Sequence, residues 1–299
     1  MGLRLTKIHR CISYEQSAWL KPWIDLNTEK RKEAKNDFEK DLFKLTNNAV
    51  YGKTMEDVRN HADFELVNNK KRLEKVLSNP NMKHRHIVNN NLIGVEKTKT
   101  HVRLNKPIAV GFTILDTSKL HMYKYHYGVM KERYGDNVRL CYTDTDSFLY
   151  HIYTGDMYKD LKEIGEHMDF SDYPETHPNY DQRNKQLGKF KDEFNGKPIA
   201  EYIGLKPKMK TIRGDDGHTD NTAKGVARSK VKSNLTFETY RKTLFENYKE
   251  RINSNSIRSH NHQITSLTTS KSGLSNFDHK RYYLSNLVSL PYGPYRISN

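Results

Sequence analysis

The stretch Val138-Arg-Leu-Cys-Tyr-Thr-Asp144-Thr-Asp146-Ser-Phe-Leu-Tyr-His-Ile152 predicts a β-hairpin with an acidic tip. Apolar side chains alternate with polar ones on both sides of the central Thr-Asp-Thr-Asp, as in two half-buried strands joined by a tight loop. By their spacing, Asp144 and Asp146 project to one face of this tip. Because hard divalent cations such as Mg²⁺ prefer carboxylate oxygens, we predict that both residues are catalytic and bind metal.

An Asp-x-Asp string is poorly specific when it stands alone. Metal-dependent glycosyltransferases also use two aspartates at this spacing, and many surface turns carry two acids. The string by itself therefore leaves open a sugar-nucleotide enzyme and an ordinary acidic turn.

A second informative stretch, Lys44-Leu-Thr-Asn-Asn48-Ala-Val-Tyr51-Gly52, lies about a hundred residues earlier. The sequence predicts one helix here, capped by Thr28 and running to about Val50, because the segment is rich in good helix formers and lacks Gly and Pro. Polar and basic residues recur at every fourth position of this helix, forming one stripe: Lys32, Asn36, Lys40, Lys44 and Asn48. An ordinary charged outer face is the alternative, because acids are interspersed.

This stripe is suited to a nucleoside triphosphate, because cations on successive turns of a rigid helix can meet its oxygens without rearranging. We assign Lys44 to the transferring phosphate group, with Lys32 and Lys40 toward the β and γ groups. Asn48 supplies a neutral hydrogen-bonding neighbour. Tyr51 would lie against the sugar and base, and Gly52 would let the backbone approach the template pair.

The composition agrees with a polyanionic partner. The 299 residues carry a net charge of +15 and a pI of about 9.5, which is the electrostatic signature of a protein that binds phosphate backbones. A basic protein without such a partner is the alternative. Two distant cysteines indicate no disulfide framework. With no signal peptide or long apolar run, the sequence predicts a soluble intracellular protein without a membrane partner.

The remaining elements follow from periodicity and turn residues. A polar region at about 60–106 contains short strands near Phe64–Val67 and His86–Val88 and is predicted to be an insertion or a loosely packed hairpin region. A core-packing helix runs from Pro107 to Gly135. Further predictions are listed in chain order: a helix at 157–167, strands at Leu187–Glu193 and Ala200–Leu205, a hairpin turn at Gly214–Gly217, a helix at Thr236–Lys249 and a long loop at 252–278.

In their order along the chain, the stretches at 44–52 and 142–147 resemble motif B and motif C of family-B DNA polymerases, especially the protein-primed viral and Polinton-like branch. Later strings resemble the palm-to-thumb portion of that family: Leu187-Gly-Lys-Phe-Lys-Asp-Glu193, Gly204-Leu-Lys-Pro-Lys-Met-Lys210, Ala223-Lys-Gly-Val226 and Tyr292-Gly-Pro-Tyr-Arg296. The resemblance implies the C-terminal part of an α+β, right-hand polymerase. It places helical fingers at 1–58, a palm with an antiparallel sheet at 59–215 (with the polar insertion at about 60–106) and a mixed thumb at 216–299.

The resemblance also implies a two-metal nucleotidyl transfer with Mg²⁺, which Mn²⁺ can replace. Asp146 would be the carboxylate most firmly tied to both ions, with Asp144 in support. The lysine of a Lys-x-Tyr element that grips the primer terminus corresponds to Lys208. The implied DNA-binding residues are Lys206, Lys208, Lys210 and Lys224. Implied partners are a primer-template, a deoxynucleoside triphosphate and a terminal protein primer, at a nuclear or viral replication site.

Three positions depart from the family pattern. Ala49 stands where motif B usually has Ser, and Lys210 replaces the Tyr of the Lys-x-Tyr element. No Asp-x-x-x-Leu-Tyr-Pro, which is motif A, precedes the fingers; Asp172-Tyr-Pro174 is a poor imitation in the wrong place. We therefore expect activity to need a missing upstream polymerase half. A non-catalytic, nucleic-acid-binding polymerase remnant is the alternative. The lysine stripe and Tyr51-Gly52 disfavour a glycosyltransferase.

Overall fold

A computed structural model describes residues 4–182, 186, 188–260, 263–285 and 288–292. In these ranges the chain is mixed α/β, with several small antiparallel sheets. The predicted mixture of helices and antiparallel strands is confirmed at this level, whereas the right-hand polymerase arrangement stays a prediction. The chain divides into two units, residues 1–117 and 118–299. The division into fingers, palm and thumb also stays a prediction.

Two helices, rather than one, occupy the region before residue 55. Helix α1 spans Lys21–Lys32 and helix α2 spans Asp37–Thr54. Asn36 caps the N-terminus of α2, because its side chain accepts a hydrogen bond from the Glu39 N–H at 2.9 Å. This is the usual role of Asn at a helix start. The predicted continuous helix capped by Thr28 is therefore wrong. The Thr28 hydroxyl instead donates to the Ile24 carbonyl inside α1.

The polar region at 60–106 folds around its own small core. It contains β1 (Asp63–Val67), α3 (Lys70–Leu77), β2 (Met82–Asn89) and β3 (Leu92–Lys97), and β3 lies between the other two strands. The two predicted strands are present, but the sequence reading missed β3 and α3. Val67, Val76 and Val95 are buried together. The prediction of a loosely packed hairpin region is therefore wrong, whereas the interpretation of this region as an insertion stays a prediction.

The predicted long helix before Gly135 is confirmed. Helix α4 (Ile108–Tyr125) continues through a π-helical turn at His126–Met130 into α5 (Lys131–Tyr134). Gly135 ends it with φ +54°, a conformation that only glycine adopts at low cost. The helix packs on one side only, because Met122 and Met130 are buried whereas Phe112, Leu120 and Tyr123 are exposed.

The unit at residues 118–299 contains the predicted hairpin and the core that packs against it. Strands β4 (Val138–Asp144) and β5 (Ser147–Ile152) pair antiparallel. They are followed by α6 (Met157–Glu163), β6 (Met168–Asp169) and β7 (Phe190–Lys191). The core around them is aromatic and aliphatic: Tyr125, Met130, Val138, Leu161, Ile164, Met168, Phe170 and Tyr173. Strand β7 is shorter than predicted, and Leu187 lies outside the described residues.

A three-stranded antiparallel sheet forms the next layer. Strands β8 (Ile199–Lys206), β9 (Met209–Gly214) and β10 (Thr219–Ala223) follow one another as a meander, with the predicted turn at Gly214–Gly217. Helices α7 (Arg228–Asn234) and α8 (Phe237–Glu246) pack against it through a core centred on the fully buried Tyr240. Helix α8 confirms the predicted helix, with Thr236 as its cap.

The predicted loop at 252–278 is mostly a long β-hairpin. Strand β11 (Arg251–His260) pairs with β12 (Gln263–Ser272), and β13 (Arg281–Ser285) pairs with β14 (Val288–Pro291). The backbone ladder forms although the side chains are mainly Ser, Thr and Asn, and Ile252 anchors its base in the core. The motif residues after Tyr292 lie outside the described residues. No helix in the described ranges is long and apolar enough to cross a lipid bilayer.

Candidate functional site: the acidic hairpin tip

The tip of the β4–β5 hairpin is a two-residue loop. Asp144 pairs with Ser147 across the ladder, and Thr145 and Asp146 form the loop between them. Thr145 has φ +53°, which is strained for a β-branched residue and is stabilised only by its surroundings. The Asp146 N–H and the Ser147 hydroxyl both donate to the Asp144 carbonyl, at 2.6 and 3.2 Å. These bonds hold the tip in one shape.

Asp144 is surrounded by hydrogen-bond donors of its own chain. The Lys208 ammonium lies 2.5 and 2.8 Å from the two carboxylate oxygens. The hydroxyls of Tyr142 and Thr145 donate to the same carboxylate at 3.2 and 3.3 Å. The Lys208 ammonium holds the pKa of Asp144 below its ordinary value, while partial burial acts in the opposite direction. The Asp144 carboxylate is therefore ionised at neutral pH and already paired with a cation.

Lys208 reaches Asp144 from the turn between β8 and β9. Pro207 precedes it, and Lys208 has φ +59°, a region that side-chain-bearing residues seldom adopt. The Lys224 N–H donates to the Lys208 carbonyl at 2.9 Å and supports the turn. Strained backbone that the surrounding structure maintains is a feature of functional sites.

Lys210 contacts the same hairpin two residues further on. Its ammonium lies 4.3 Å from the centroid of the Tyr142 ring, within cation–π distance. The resemblance implies that Lys210 is a DNA-binding residue, in place of the tyrosine ring that would pack against the primer, and this stays a prediction. The structure brings Lys210 and Lys208 to Tyr142 and Asp144, so that the β8–β9 hairpin and the β4–β5 tip form one polar cluster.

Asp146 differs from Asp144 in its surroundings. Its side chain is exposed, and within the described part of the chain no cation pairs with it. Together with Thr145 and Ser147 it lines a cleft of about 770 Å³. The cleft runs along every residue of β5 and is closed by α4 and by the segment around β7. Of the two tip aspartates, Asp146 is thus the one that the fold leaves open to a ligand in this cleft, whereas Asp144 is not among the lining residues.

The far wall of the cleft contains both signs of charge. The Lys191 ammonium lies 2.6 Å from Asp172 and 3.5 Å from the buried Asp169. Asp192 accepts the Tyr173 hydroxyl at 2.9 Å. The segment that imitates motif A, Asp172-Tyr-Pro174, has structural contacts of its own. Asp172 forms an ion pair with Lys191, and Tyr173 is buried in the core.

The tip matches a divalent cation only in part. Carboxylate oxygen is the correct ligand type for Mg²⁺, and Asp146 offers such oxygens. Asp144 has the same chemistry, but Lys208 contacts both of its oxygens. No group of three or more His, Cys, Asp or Glu side chains in the described residues could enclose a metal ion. The tip as folded therefore offers one free carboxylate.

The residues predicted to bind nucleotide lie in the other unit, on α2. Lys40, Lys44, Asn48, Tyr51 and Gly52 all belong to this helix, and all are exposed. Lys44 has no carboxylate partner among the described residues, whereas Lys40 lies 3.5 Å from Asp37.

Lys32 does not continue this stripe. It is the last residue of α1 and bonds to Glu29 at 2.8 Å. The predicted single stripe is therefore broken between Lys32 and Lys40, because α1 ends at Lys32 and a new helix begins after the extended Asn36 cap.

The two remaining predicted DNA-binding lysines lie near Lys208. The Lys206 ammonium donates to the Phe277 carbonyl at 3.3 Å. Lys224 is joined to Lys208 through the backbone bond described above. The β8–β9 hairpin thus carries Lys206, Lys208 and Lys210 with Lys224 beside it, and these four cations lie within one unit.

Sequence reasoning missed the contacts that join the two hairpins. The Lys208–Asp144 ion pair spans 64 positions, and the Lys210–Tyr142 contact spans 68. The only local signal was Pro207 followed by Lys208, which marks a turn. The sequence matches no family model, and neither a curated protein nor a solved structure shows significant similarity to the chain.

Proposed function

We propose that the chain is the C-terminal portion of a family-B DNA polymerase, which binds a deoxynucleoside triphosphate and a primer-template and takes part in nucleotidyl transfer. The observation that carries the proposal is the strained hairpin tip, which presents the free carboxylate of Asp146 at a cleft and contacts a second hairpin, β8–β9, that bears three lysines. A divalent ion at Asp146 would activate the attacking hydroxyl and stabilise the leaving pyrophosphate.

The basic residues have matching roles in this proposal. Lys44 on α2 would meet the triphosphate, with Lys40, Asn48, Tyr51 and Gly52 beside it. Lys206, Lys208, Lys210 and Lys224 would contact the DNA backbone. Phosphate contacts of this kind hold a protein in register and depend strongly on salt. The net charge of +15 supports this assignment.

A dependence on a further polypeptide segment is part of the proposal. The sequence lacks motif A, and β5 pairs only with β4 among the described strands. All the residues of β5 line the cleft, and an open strand edge is a ready template for an added strand. An upstream polymerase segment could therefore complete both the sheet and the metal site. The pair of Mg²⁺ or Mn²⁺ ions that transfer requires would be complete only in that site, whereas a single ion could already bind at Asp146.

A non-catalytic nucleic-acid-binding remnant is the second candidate, favoured by two observations. The Lys208 ammonium is paired with the Asp144 carboxylate, so that Asp146 is the one free carboxylate at the tip. The β11–β12 hairpin contains no Asp or Glu between Arg251 and Ser272, and its cations Arg251, Arg258 and Lys271 are exposed. A basic ribbon of this kind could bind phosphate backbones without any transfer chemistry.

Primer extension separates the two candidates. The chain should be assayed with Mg²⁺ and with Mn²⁺, alone and lengthened by its upstream coding sequence. We expect extension only by the lengthened form, and Asp146→Asn should lower its rate by a hundredfold or more, on the order expected when a metal ligand is lost. Asp136→Asn is the matched control, because Asp136 is an exposed acid just before β4.

The second candidate predicts a different result. Neither form would extend a primer, while both would bind duplex DNA in a fluorescence anisotropy titration with an affinity that falls steeply as salt rises. Extension that persists at full rate in Asp146→Asn would exclude the proposed metal role of the hairpin tip.

A further inference from the structure

The Asp144 carboxylate is almost fully used by donors of the chain itself. An ionised carboxylate has about four acceptor positions. Lys208 contacts both of its oxygens, and the Tyr142 and Thr145 hydroxyls donate one bond each. A divalent ion could bind Asp144 only by displacing Lys208, because two cations on the same oxygens repel each other.

The Lys208 side chain is directed to this position by the fold. Its backbone has a positive φ within the turn between β8 and β9, and the Lys224 N–H donates to the Lys208 carbonyl and supports this turn. The pairing with an acid is specific to Lys208, since the ammonium of the neighbouring Lys206 contacts a backbone carbonyl. The Lys208 side chain is still about half exposed, so that it can leave Asp144 without opening the core.

We propose that the Lys208 ammonium is the built-in counter-ion of Asp144 and competes there with a divalent cation, so that the tip offers Asp146 alone until an incoming phosphate group draws Lys208 away. This inference rests on the proposed function and deepens it. Binding of phosphate at Lys208 and binding of the cation at Asp144 are then coupled, and each favours the other.

Cation binding by the full chain without DNA or nucleotide tests the first part. Free Mn²⁺ is measured by electron paramagnetic resonance at one fixed pH. Lys208→Met should bind Mn²⁺ several-fold more tightly than the wild type, because it frees a second carboxylate beside Asp146. Adding Asp144→Asn to that variant should remove the gain. Lys206→Met is the matched control, since it removes the same charge from the same turn without freeing a carboxylate.

A second variant controls for the possibility that Met at position 208 disrupts the turn. Lys208→Asn also removes the ammonium, and Asn tolerates a positive φ better than Met does; circular dichroism establishes that each variant is folded. The proposal is overturned if both Lys208 variants bind Mn²⁺ no better than Lys206→Met, or if neither binds it measurably. It is equally overturned if the gain survives Asp144→Asn.

Phosphate binding in EDTA tests the second part. Asp144→Asn releases Lys208, and it should therefore bind a phosphate ligand several-fold more tightly than the wild type. Asp146→Asn changes the charge equally without releasing Lys208 and should show a smaller effect. A primer-template duplex and a fluorescent nucleoside triphosphate are titrated separately, and the one whose affinity rises is the source of the phosphate. No rise for either ligand overturns the coupling.

These measurements are independent of polymerase activity. If Lys208→Met gains Mn²⁺ affinity and no form of the protein extends a primer, the proposed function fails and the counter-ion role stands. If extension occurs but the gain in Mn²⁺ affinity does not, the counter-ion role fails alone.

Discussion

The ammonium of Lys210 lies 4.3 Å from the centre of the Tyr142 ring. The Tyr142 hydroxyl in turn donates to Asp144 at 3.2 Å. A cation over an aromatic ring at a partly exposed site contributes about 0.5–1 kcal/mol. Lys210 thereby helps to fix the side chain that supports Asp144, although it does not contact the carboxylate.

The first prediction concerns this contact. Lys210→Met should lower the free energy of unfolding by about 0.5–1 kcal/mol, while Lys210→Arg should retain it because a guanidinium also stacks on aromatic rings. Urea denaturation of Lys210→Met, Tyr142→Leu and the double variant gives the coupling energy directly. Strictly additive effects would contradict a contact between the two side chains.

The second prediction concerns nucleotide binding on α2. Lys44→Ala should weaken the affinity for a deoxynucleoside triphosphate by about 10- to 150-fold, because one charge-assisted hydrogen bond contributes about 1.5–3 kcal/mol. Lys53→Ala is the matched control, since Lys53 lies on the same helix but is paired with Glu56 at 3.0 Å. Equal weakening by the two variants would show only a general effect of charge. Fluorescence titration with a labelled nucleotide measures both.

The third prediction is that the stability of the region containing the β1–β3–β2 sheet depends on pH. Glu65 accepts bonds from Arg72 at 2.7 Å and Lys97 at 3.0 Å, and these partners lower its pKa from 4.5 to about 2. A carboxylate whose pKa is lowered in the folded state stabilises it above the unfolded pKa. The contribution of Glu65 is therefore complete above about pH 4.5 and is lost as the pH falls toward about 2.

Thermal unfolding at several pH values tests this dependence. Glu65→Gln should be less stable than the wild type at pH 6, and the difference should shrink between pH 4.5 and pH 2. Glu74→Gln is the control, because Glu74 is exposed on the adjacent α3 and should show no such convergence. A difference that stays constant down to pH 2 would rule out the assigned partners.

The fourth prediction compares two leucines in the C-terminal part of the chain. Leu274 is fully buried in the core beside Tyr240, whereas Leu267 on β12 is 42% exposed. Leu274→Ala should lower the free energy of unfolding by about 2–5 kcal/mol, because it leaves a cavity. Leu267→Ala should change it by less than about 1 kcal/mol. Similar losses in chemical denaturation would place Leu274 outside the core.

Local patterns in the sequence predicted the elements with strong periodicity. The β4–β5 hairpin, the helix that ends at Gly135 and helix α8 all follow from apolar spacing and from turn or cap residues close in sequence. The β11–β12 hairpin did not, because its Ser, Thr and Asn side chains give no alternating apolar signal. The break before α2 was also missed, since Asn36 fits a helical stripe as well as it fits a cap.

The sequence alone determined where the candidate functional side chains lie along the chain: two aspartates at a hairpin tip and a lysine-bearing helix, in a chain with an excess of positive charge. The tertiary structure decided how the aspartates differ, because Lys208 and Asp144 are brought together only when two hairpins pack. One carboxylate is thereby neutralised and the other is left open to the cleft. Pairing of charges depends on distances in space, and sequence spacing fixes such distances only within a single helix or strand.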